Sequence, residues 1–529
     1  MTPRSTVRVA GPAFTRPLIL WIRDISIRLR YHIAHGRFES AVGVTVGAVW
    51  LAIAPLFFLC AIVDYFDRGP DAMALFLSGV AIAVTGLLTL YLSQFPSSLP
   101  LKSLFAALVC GALSALVAVT VAHFVTGVAP TFDSSLAEGA ATITGTNSST
   151  INPEQLSLGM LLFRAFGQWL GSAALIVVLV RISPHLGVGG LDADGGVSTR
   201  SARRLAPKSG STMARLLLLY VSLTVSLLIA YFSAGMPFVD SVLHCLTTVS
   251  SGGFSSRSGS IGAFNSGAIE WVAISGMLIA GTSLPLIFRA LRRGDLRRFS
   301  RSIEFRTYIG LVVTAVVAAL AWSGNWPKAD EVRETIFAVA SAVSTTGFVT
   351  HDLNSISYGA EAVLLILMVV GGMSASVAGG FTVMRFMVVS SYIGRELRRS
   401  IHPAAVEKIH LGKSSIGEVA LARIIGELFL SAVVILPLAL VLSADGLNFE
   451  AAFSFAISAL SNVGFAFGLS GPEEHLRTLG ALGHLAAALL MLIGRISVTP
   501  LLVTLGGVGE PMQREIRRWR LTRHEKAVR

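Results

Sequence analysis

The 529-residue chain is 53% hydrophobic and only 14% charged, with a mean hydropathy of +0.71, which is more apolar side chain than a soluble globule buries. Its net charge of +12 would point to nucleic acid in a soluble protein, but the Lys and Arg residues stand in blocks between apolar runs, where they set membrane topology, so no nucleic acid is expected. Cys60, Cys110 and Cys245 lie in or beside apolar segments without metal-ligand spacing, which argues against both a disulfide framework and a cysteine metal cluster.

Residues 1–40 lack the short charged start and apolar core of a cleavable signal peptide. Within them Leu18, Ile22, Ile25 and Leu29 recur at helical spacing with Arg23, Arg28 and Arg30 between. That pattern fits a helix on the cytoplasmic membrane surface, its arginines at anionic lipid headgroups, or a solvated tail. A hydrocarbon core about 30 Å thick takes about 20 apolar residues as a helix. Ten runs meet this requirement, at 41–64, 73–95, 102–127, 158–181, 214–234, 267–290, 306–324, 361–394, 417–443 and 478–508. The loop 181–215, the seven arginines of 289–306, the segment 395–413 and the tail Arg514–Arg529 are basic, whereas 128–157 and 444–476 hold no Lys or Arg. By the positive-inside rule the basic loops and both termini are cytoplasmic, and the chain spans its membrane many times.

On the outer side lie shorter helix-like stretches beginning near Asp133, Asp240, Asp330 with Glu331 and Glu334, and Asn448, residue types suited to a helix start. Each runs 12 to 16 residues to a glycine turn: Thr142–Thr146 around Gly145, Thr248–Ser255 around Gly252 and Gly253, Ala342–Thr350 around Gly347, and Leu460–Phe465 around Gly464. A helix of about 12 residues is about 18 Å long, so it re-enters and returns to its own side. Irregular backbone at that depth survives only when packed in protein or lining water. Successive turn glycines are 108, 94 and 117 residues apart, so the unit span, half-helix, turn, span recurs four times, with two spans ahead of it.

A dehydrated cation needs several oxygen ligands at a fixed radius. Consecutive carbonyls of a narrow loop supply them when a glycine admits positive φ. Each half-helix also aims the partially negative C-terminal end of its dipole at the turn. Carbonyls without a ring of carboxylates suit a monovalent ion. Thr144, Ser251, Thr346 and Asn462 add oxygens or brace the loops. A chain with 51 glycines makes chance matches to any one such turn, but not to four in register with a repeat.

The sequence resembles the Trk/Ktr/HKT superfamily of potassium transporters, most closely the bacterial TrkH-type membrane subunit, over about residues 41–510. The resemblance rests on Phe166-Gly167-Gln168-Trp169-Leu170-Gly171, Gly252-Gly253-Phe254-Ser255, Ser260-Ile261-Gly262-Ala263-Phe264, Ser344-Thr345-Thr346-Gly347-Phe348, Gly371-Gly372-Met373-Ser374-Ala375-Ser376-Val377-Ala378-Gly379-Gly380 and Leu492-Ile493-Gly494-Arg495. It implies an all-α polytopic membrane protein with four pseudo-symmetric helix, pore-helix, filter-loop, helix repeats around a central pore, preceded by two extra transmembrane helices. The corresponding segments are 1–40, the extra pair 41–100, repeats 101–205, 206–300, 301–412 and 413–512, and a basic cytoplasmic tail 513–529. It implies a K⁺ selectivity filter at Thr144, Gly145, Gly252, Gly253, Thr346, Gly347, Val463 and Gly464, with the transported ion as the only metal and no cofactor on this chain. It also implies a homodimer and a cytoplasmic nucleotide-binding subunit, a TrkA-type ring, controlling the pore. Glycine in all four turns leans toward potassium, since plant relatives with serine in the first turn are associated with sodium.

The span 361–394 exceeds the length of a straight crossing and is interrupted by Gly371, Gly372, Ser374, Ser376, Gly379 and Gly380, weak helix formers that unwind a membrane helix or serve close packing. In the family this stretch resembles an intramembrane gate loop below the filter. The usual cysteine, threonine and lysine are here Met373, Val377 and Thr382, which leaves the details of gating open. Arg495 is flanked by apolar residues, and the resemblance sets it in the pore under the filter, a fixed charge that raises a barrier to cations. Arg385, nearer a basic loop, reads as a topology residue. His244, His351 and His484 are scattered and no phosphate-binding glycine loop ends in Lys-Ser/Thr, so an enzyme is not expected. The competing readings are a sodium-coupled or sodium-permeable member of the superfamily, the channel-like subunit of a potassium-pumping ATPase, and a polytopic membrane enzyme.

Overall fold

The computed structural model describes residues 38–96, 101–181, 209–322, 328–350, 357–402, 409–411, 414–468 and 474–506. The expected surface helix near Leu18–Leu29, most of the basic loop after Arg181, His351 and the basic tail lie outside the described residues. The described chain is an all-α polytopic membrane protein. Strand pairing among the described residues is confined to a parallel contact of Phe38–Glu39 with Ser93–Gln94 and a small hairpin of Ile409–Leu411 with Ser414–Ile416.

All ten stretches picked out by hydropathy are helical, but three are bent or interrupted. Seven are single helices long and apolar enough to cross: Ala41–Phe66, Ala72–Leu92, Lys102–Val125, Leu158–Val180, Thr212–Ser233, Ile303–Ala321 and Glu418–Ala444. Gly267–Ala280 turns by 100° into Leu284–Arg293, and Ala481–Ile496 turns by 100° into Val498–Gly506. The first bend is local chemistry: Gly281-Thr282-Ser283 are weak helix formers, and Pro285, which has no N–H to donate, sits at the start of the next helix. The long run 361–394 is two helices, Tyr358–Val370 and Val383–Ile401, joined by irregular chain.

Burial follows lipid as the outer solvent. Leu77, Leu88, Leu218, Ile229, Phe429 and Leu436 are each more than half exposed on the perimeter, while Glu138, Gln168, His244, Thr346 and Ser458 are fully buried. Inside the ring of spans stand four half-helices: pore helix 1 (Phe132–Thr144), pore helix 2 (Phe238–Val249), pore helix 3 (Ala329–Val343) and pore helix 4 (Phe449–Leu460). At 12 to 15 residues they are about 18–22 Å long, too short to cross. Small side chains let them converge, with Ala137, Ala140, Ala141, Ala340, Ala342, Ala451, Ala452 and Ala456 all fully buried.

Their starts differ from the sequence reading in one respect. Only Asn448 is itself the cap, accepting from Ala451 N at 2.7 Å. Asp133, Asp240 and Asp330 lie inside the first turn instead, where a carboxylate complements the dipole without being the cap, Glu331 at the third helical position accepts from Lys328 N at 3.2 Å, and Thr131 caps pore helix 1. The leading pair of spans packs on the first repeat through the Phe57–Phe163 ring contact, centroids 4.8 Å apart. Buried Asp64 accepts from Asp71 N at 2.8 Å and from Gly159 N at 3.1 Å, which joins the pair to the span Leu158–Val180.

Candidate functional site

The four loops after the pore helices follow one backbone path at their start. In each, an amide reaches back five residues to a carbonyl of its own helix: Thr146 to Ala141 at 3.0 Å, Gly252 to Thr247 at 2.8 Å, Thr346 to Ser341 at 3.1 Å and Val463 to Ser458 at 2.9 Å. The residue before that amide is left-handed in every case, at Gly145, Ser251, Thr345 and Asn462, with φ between 52° and 69°. The residue after it is Asn147, Gly253, Gly347 and Gly464, and the three glycines have φ of 76°, 81° and 112°.

This register corrects the first loop. Gly145 is the counterpart of Ser251, Thr345 and Asn462, and the position level with Gly253, Gly347 and Gly464 belongs to Asn147. Thr144 accordingly lies in the last turn of its helix, its Oγ1 donating to Ala140 O at 2.7 Å. The sequence pattern Thr-Ile-Thr-Gly matched the other turns by composition, but the counting of backbone hydrogen bonds, which composition does not carry, shifts it by two residues.

Close approaches between loops establish a closed ring. A Cβ added at Gly145 would touch Gly252, one at Gly253 would overlap the Thr346 carbonyl oxygen, one at Gly347 the Val463 carbonyl oxygen, and one at Gly464 the Asn147 backbone. Loop 1 thus adjoins loop 2, loop 2 loop 3, loop 3 loop 4, and loop 4 loop 1. Asn147 N donates to Val463 O at 3.0 Å across the last of these seams. Among the described residues no three His, Cys, Asp or Glu side chains converge on a metal geometry. The oxygens offered at the ring are therefore carbonyls and hydroxyls, a donor set that fits a weakly hydrated monovalent cation.

Several bracing residues were not picked out as site residues. Gln168, on the span Leu158–Val180, donates through Nε2 to Gly252 O at 2.8 Å and accepts from Phe254 N at 3.3 Å, clamping loop 2. Ser148 Oγ donates to Gly464 O at 2.8 Å, and Ser341 Oγ to Phe348 O at 2.7 Å. Just outside the ring, Glu138 and Arg164 form a buried pair at 3.3 Å. Glu138 also accepts from Ser149 Oγ and from the Thr150 amide, and Arg164 stacks over the Phe254 ring at 4.0 Å. The only sequence hint of these roles is a polar residue in an apolar run, which does not say what it faces.

Against the ring lies the interrupted segment. The helix Tyr358–Val370 stops at Gly371, whose φ is 69°, and the next begins at Val383. The connecting loop meets the filter loops: Gly379 N donates to Thr345 Oγ1 at 2.7 Å, and a Cβ added at Gly379 would overlap the Ser461 carbonyl oxygen. Its other anchors are the bent span Gly267–Arg293 and one carboxylate. Met373 N donates to Gly281 O at 2.8 Å, Leu284 N to Ala375 O at 3.2 Å, and Ser374 N to Glu304 Oε1 at 2.6 Å. Arg495 reaches the same loop, donating to Val377 O at 3.2 Å and to Ser172 Oγ at 2.7 Å, while Ser172 donates to Ser250 O at 2.9 Å. Gly371, Gly372, Ser374, Ser376, Gly379, Gly380 and Arg495 are thus neighbours of one another and of the loop bases. Arg385 is elsewhere, paired with Glu427 at 3.1 Å. Ser376 Oγ, Asn462 Oδ1 and Arg495 Nε are buried without a protein partner among the described residues.

A family model described as TrkH, cation transport protein, matches residues 80–506. The Trk system potassium uptake protein TrkH of Salmonella typhimurium is 31% identical over 374 residues, covering 69% of this chain and 75% of that protein. TrkI of Halomonas elongata, also a Trk system potassium uptake protein, is 28% identical over 473 residues, covering 87% and 94%. In three dimensions the chain is similar to the crystal structure of the potassium transporter TrkH from Vibrio parahaemolyticus, with a TM-score of 0.78 over 88% of this chain and 98% of that one, at 24% identity, a likeness of fold. The chain belongs to the TrkH family of cation transport proteins, which are transporters and not enzymes.

Proposed function

We propose that this protein carries K⁺ into a bacterial cell across the inner membrane, through the ring formed by the four pore loops. The observation that carries the reading is that ring: four half-helices aim their negative dipole ends at one circle of backbone oxygens, each loop in contact with the next. Filter residues are Thr146, Asn147, Gly252, Gly253, Thr346, Gly347, Val463 and Gly464, with Thr144 and Gly145 as support. The loop 371–382 and Arg495 form the gate, since they border the inner side of the same loops. Potassium as the ion is supported by the names of the relatives above, and the basic stretches 181–215, 289–306 and 395–413 support a cytoplasmic location for those loops and for both termini. The relatives' place in Trk systems supports a regulatory subunit beside this chain, and the resemblance described above adds that it is a cytoplasmic nucleotide-binding ring acting on two copies of the chain.

A sodium-permeable transporter is the second reading, and Asn147 favours it, because the argument from glycine in every turn does not hold at the ring level. Uptake into proteoliposomes of purified protein with K⁺, Rb⁺ or Na⁺ as the only cation decides between the two. The expected result is Rb⁺ and K⁺ uptake well above Na⁺ uptake, and equal Na⁺ flux would refute potassium selectivity.

A further inference from the structure

At the level of Gly253, Gly347 and Gly464 the first loop carries a side chain, that of Asn147. Its counterparts on the other loops are glycines, so there is room for a single intruder. A Cβ added at Gly253 or at Gly347 would lie 2.8 Å from the Asn147 Cβ, which puts this side chain between loops 2 and 3 although it belongs to loop 1. Its Nδ2 donates to the Gly347 carbonyl at 2.6 Å. Since the loops adjoin in the order 1, 2, 3, 4 and close back on 1, loops 1 and 3 are diagonal. A hydrogen bond along a diagonal of that ring brings the carboxamide onto its axis. Facing a carbonyl, only the NH₂ end of a carboxamide can bond, so a group with positive hydrogens meets an oxygen that would otherwise be free to hold a cation.

We infer that the Asn147 carboxamide is a tethered, uncharged competitor of the transported cation at the level of Gly253, Gly347 and Gly464. The inference rests on the reading of the ring as an ion filter. An ion enters this level when the side chain gives up its bond to Gly347 and swings outward, toward the small cavity lined by Asn147, Ser149, Pro153, Arg164, Phe254 and Ser258. Asn147 is absent from the left-handed residues, so the side chain is carried without the strain a Cβ would meet at Gly347. The consequence for transport is a raised threshold: the cation must displace one hydrogen bond before it can bind.

The test measures initial Rb⁺ and Na⁺ uptake over a range of concentrations in proteoliposomes of full-length wild type, Asn147→Gly, Asn147→Ala and Gly347→Ala. Both Asn147 variants are expected to raise Rb⁺ flux at low concentration about tenfold and to lower the half-saturating concentration, the effect of removing one net hydrogen bond. Asn147→Ala guards against a folding defect of the glycine variant, and elution and melting in detergent establish that each is intact. Unchanged or lower flux in both intact variants, with wild type carrying Rb⁺ and Gly347→Ala failing to, overturns the competitor and leaves the filter standing. If neither wild type nor the Asn147 variants carry Rb⁺ or Na⁺, the filter reading falls and the competitor with it.

Discussion

Replacing Gly347 by alanine adds one methyl group at a crowded seam of the ring. Two costs can be worked out. The backbone there has φ of 81°, which costs an L-residue about 1–2 kcal/mol. The new Cβ would also overlap the Val463 carbonyl oxygen and lie 2.8 Å from the Asn147 Cβ, and forcing such a contact apart costs about 1–3 kcal/mol. The sum is about 2–5 kcal/mol. Relief by retreat of loop 3 is opposed by the Ser341 bond to Phe348 O at 2.7 Å, and relief by loop 4 displaces an oxygen proposed to hold the ion. The strain is therefore taken up by the ring and not by the helical frame. A penalty of about 3 kcal/mol on the ion-holding geometry corresponds to a loss of about 150-fold in Rb⁺ uptake by reconstituted protein. Gly235 is the control: its φ is 94° but nothing lies within 4 Å of an added Cβ. Gly235→Ala should lose about 1–2 kcal/mol of stability and keep its flux. Gly347→Ala retaining uptake within about threefold of wild type, a difference under 1 kcal/mol, would refute the reasoning.

Arg495→Ala removes the bonds to Val377 O and Ser172 Oγ together with the charge beneath the ring, and Rb⁺ flux is expected to rise severalfold. A folded variant with unchanged or lower flux would remove the barrier role, and Arg495→Lys should behave nearly as wild type. Glu304→Ala leaves the Ser374 amide without its acceptor, at about 1–3 kcal/mol, and loosens the inner loop. Higher resting flux than in Glu304→Gln, which keeps an acceptor oxygen, is the outcome to look for. Arg164→Ala strands the buried Glu138 carboxylate and should cost about 3–5 kcal/mol, read as a lowered melting temperature in detergent. Replacing Glu138 by Gln in the same chain should restore part of the loss, because no unpaired charge then remains.

Much of the scaffold was legible in the residues because the bilayer imposes a simple rule on them. The spans are apolar for about 20 residues whatever surrounds them, and the half-helices stand out because 12 or so residues cannot cross. The interruption at Gly371–Gly380 was visible for a related reason: a run of small residues in a stretch too long for one crossing. The bends at Gly281–Ser283 and Ser497 were not anticipated, although Pro285 and Pro500 stood beside them, since hydropathy alone is unbroken across both. The four repeats were found by counting between glycines, and there the method failed in the first quadrant.

What the sequence by itself determined is a membrane protein, its spans, its half-helices and the neighbourhood of each turn, because these follow from local apolarity, charge and helix length; its likeness to TrkH rests instead on the motifs at and around those turns. Only the tertiary structure decided which residue of each turn stands at the common level. Register there depends on hydrogen bonds from Thr146, Gly252, Thr346 and Val463 back to their own helices and on contacts between loops about a hundred residues apart. A glycine two positions away looks the same in a string of letters. In space it leaves Gly145 behind the ring and sets the Asn147 side chain on its axis.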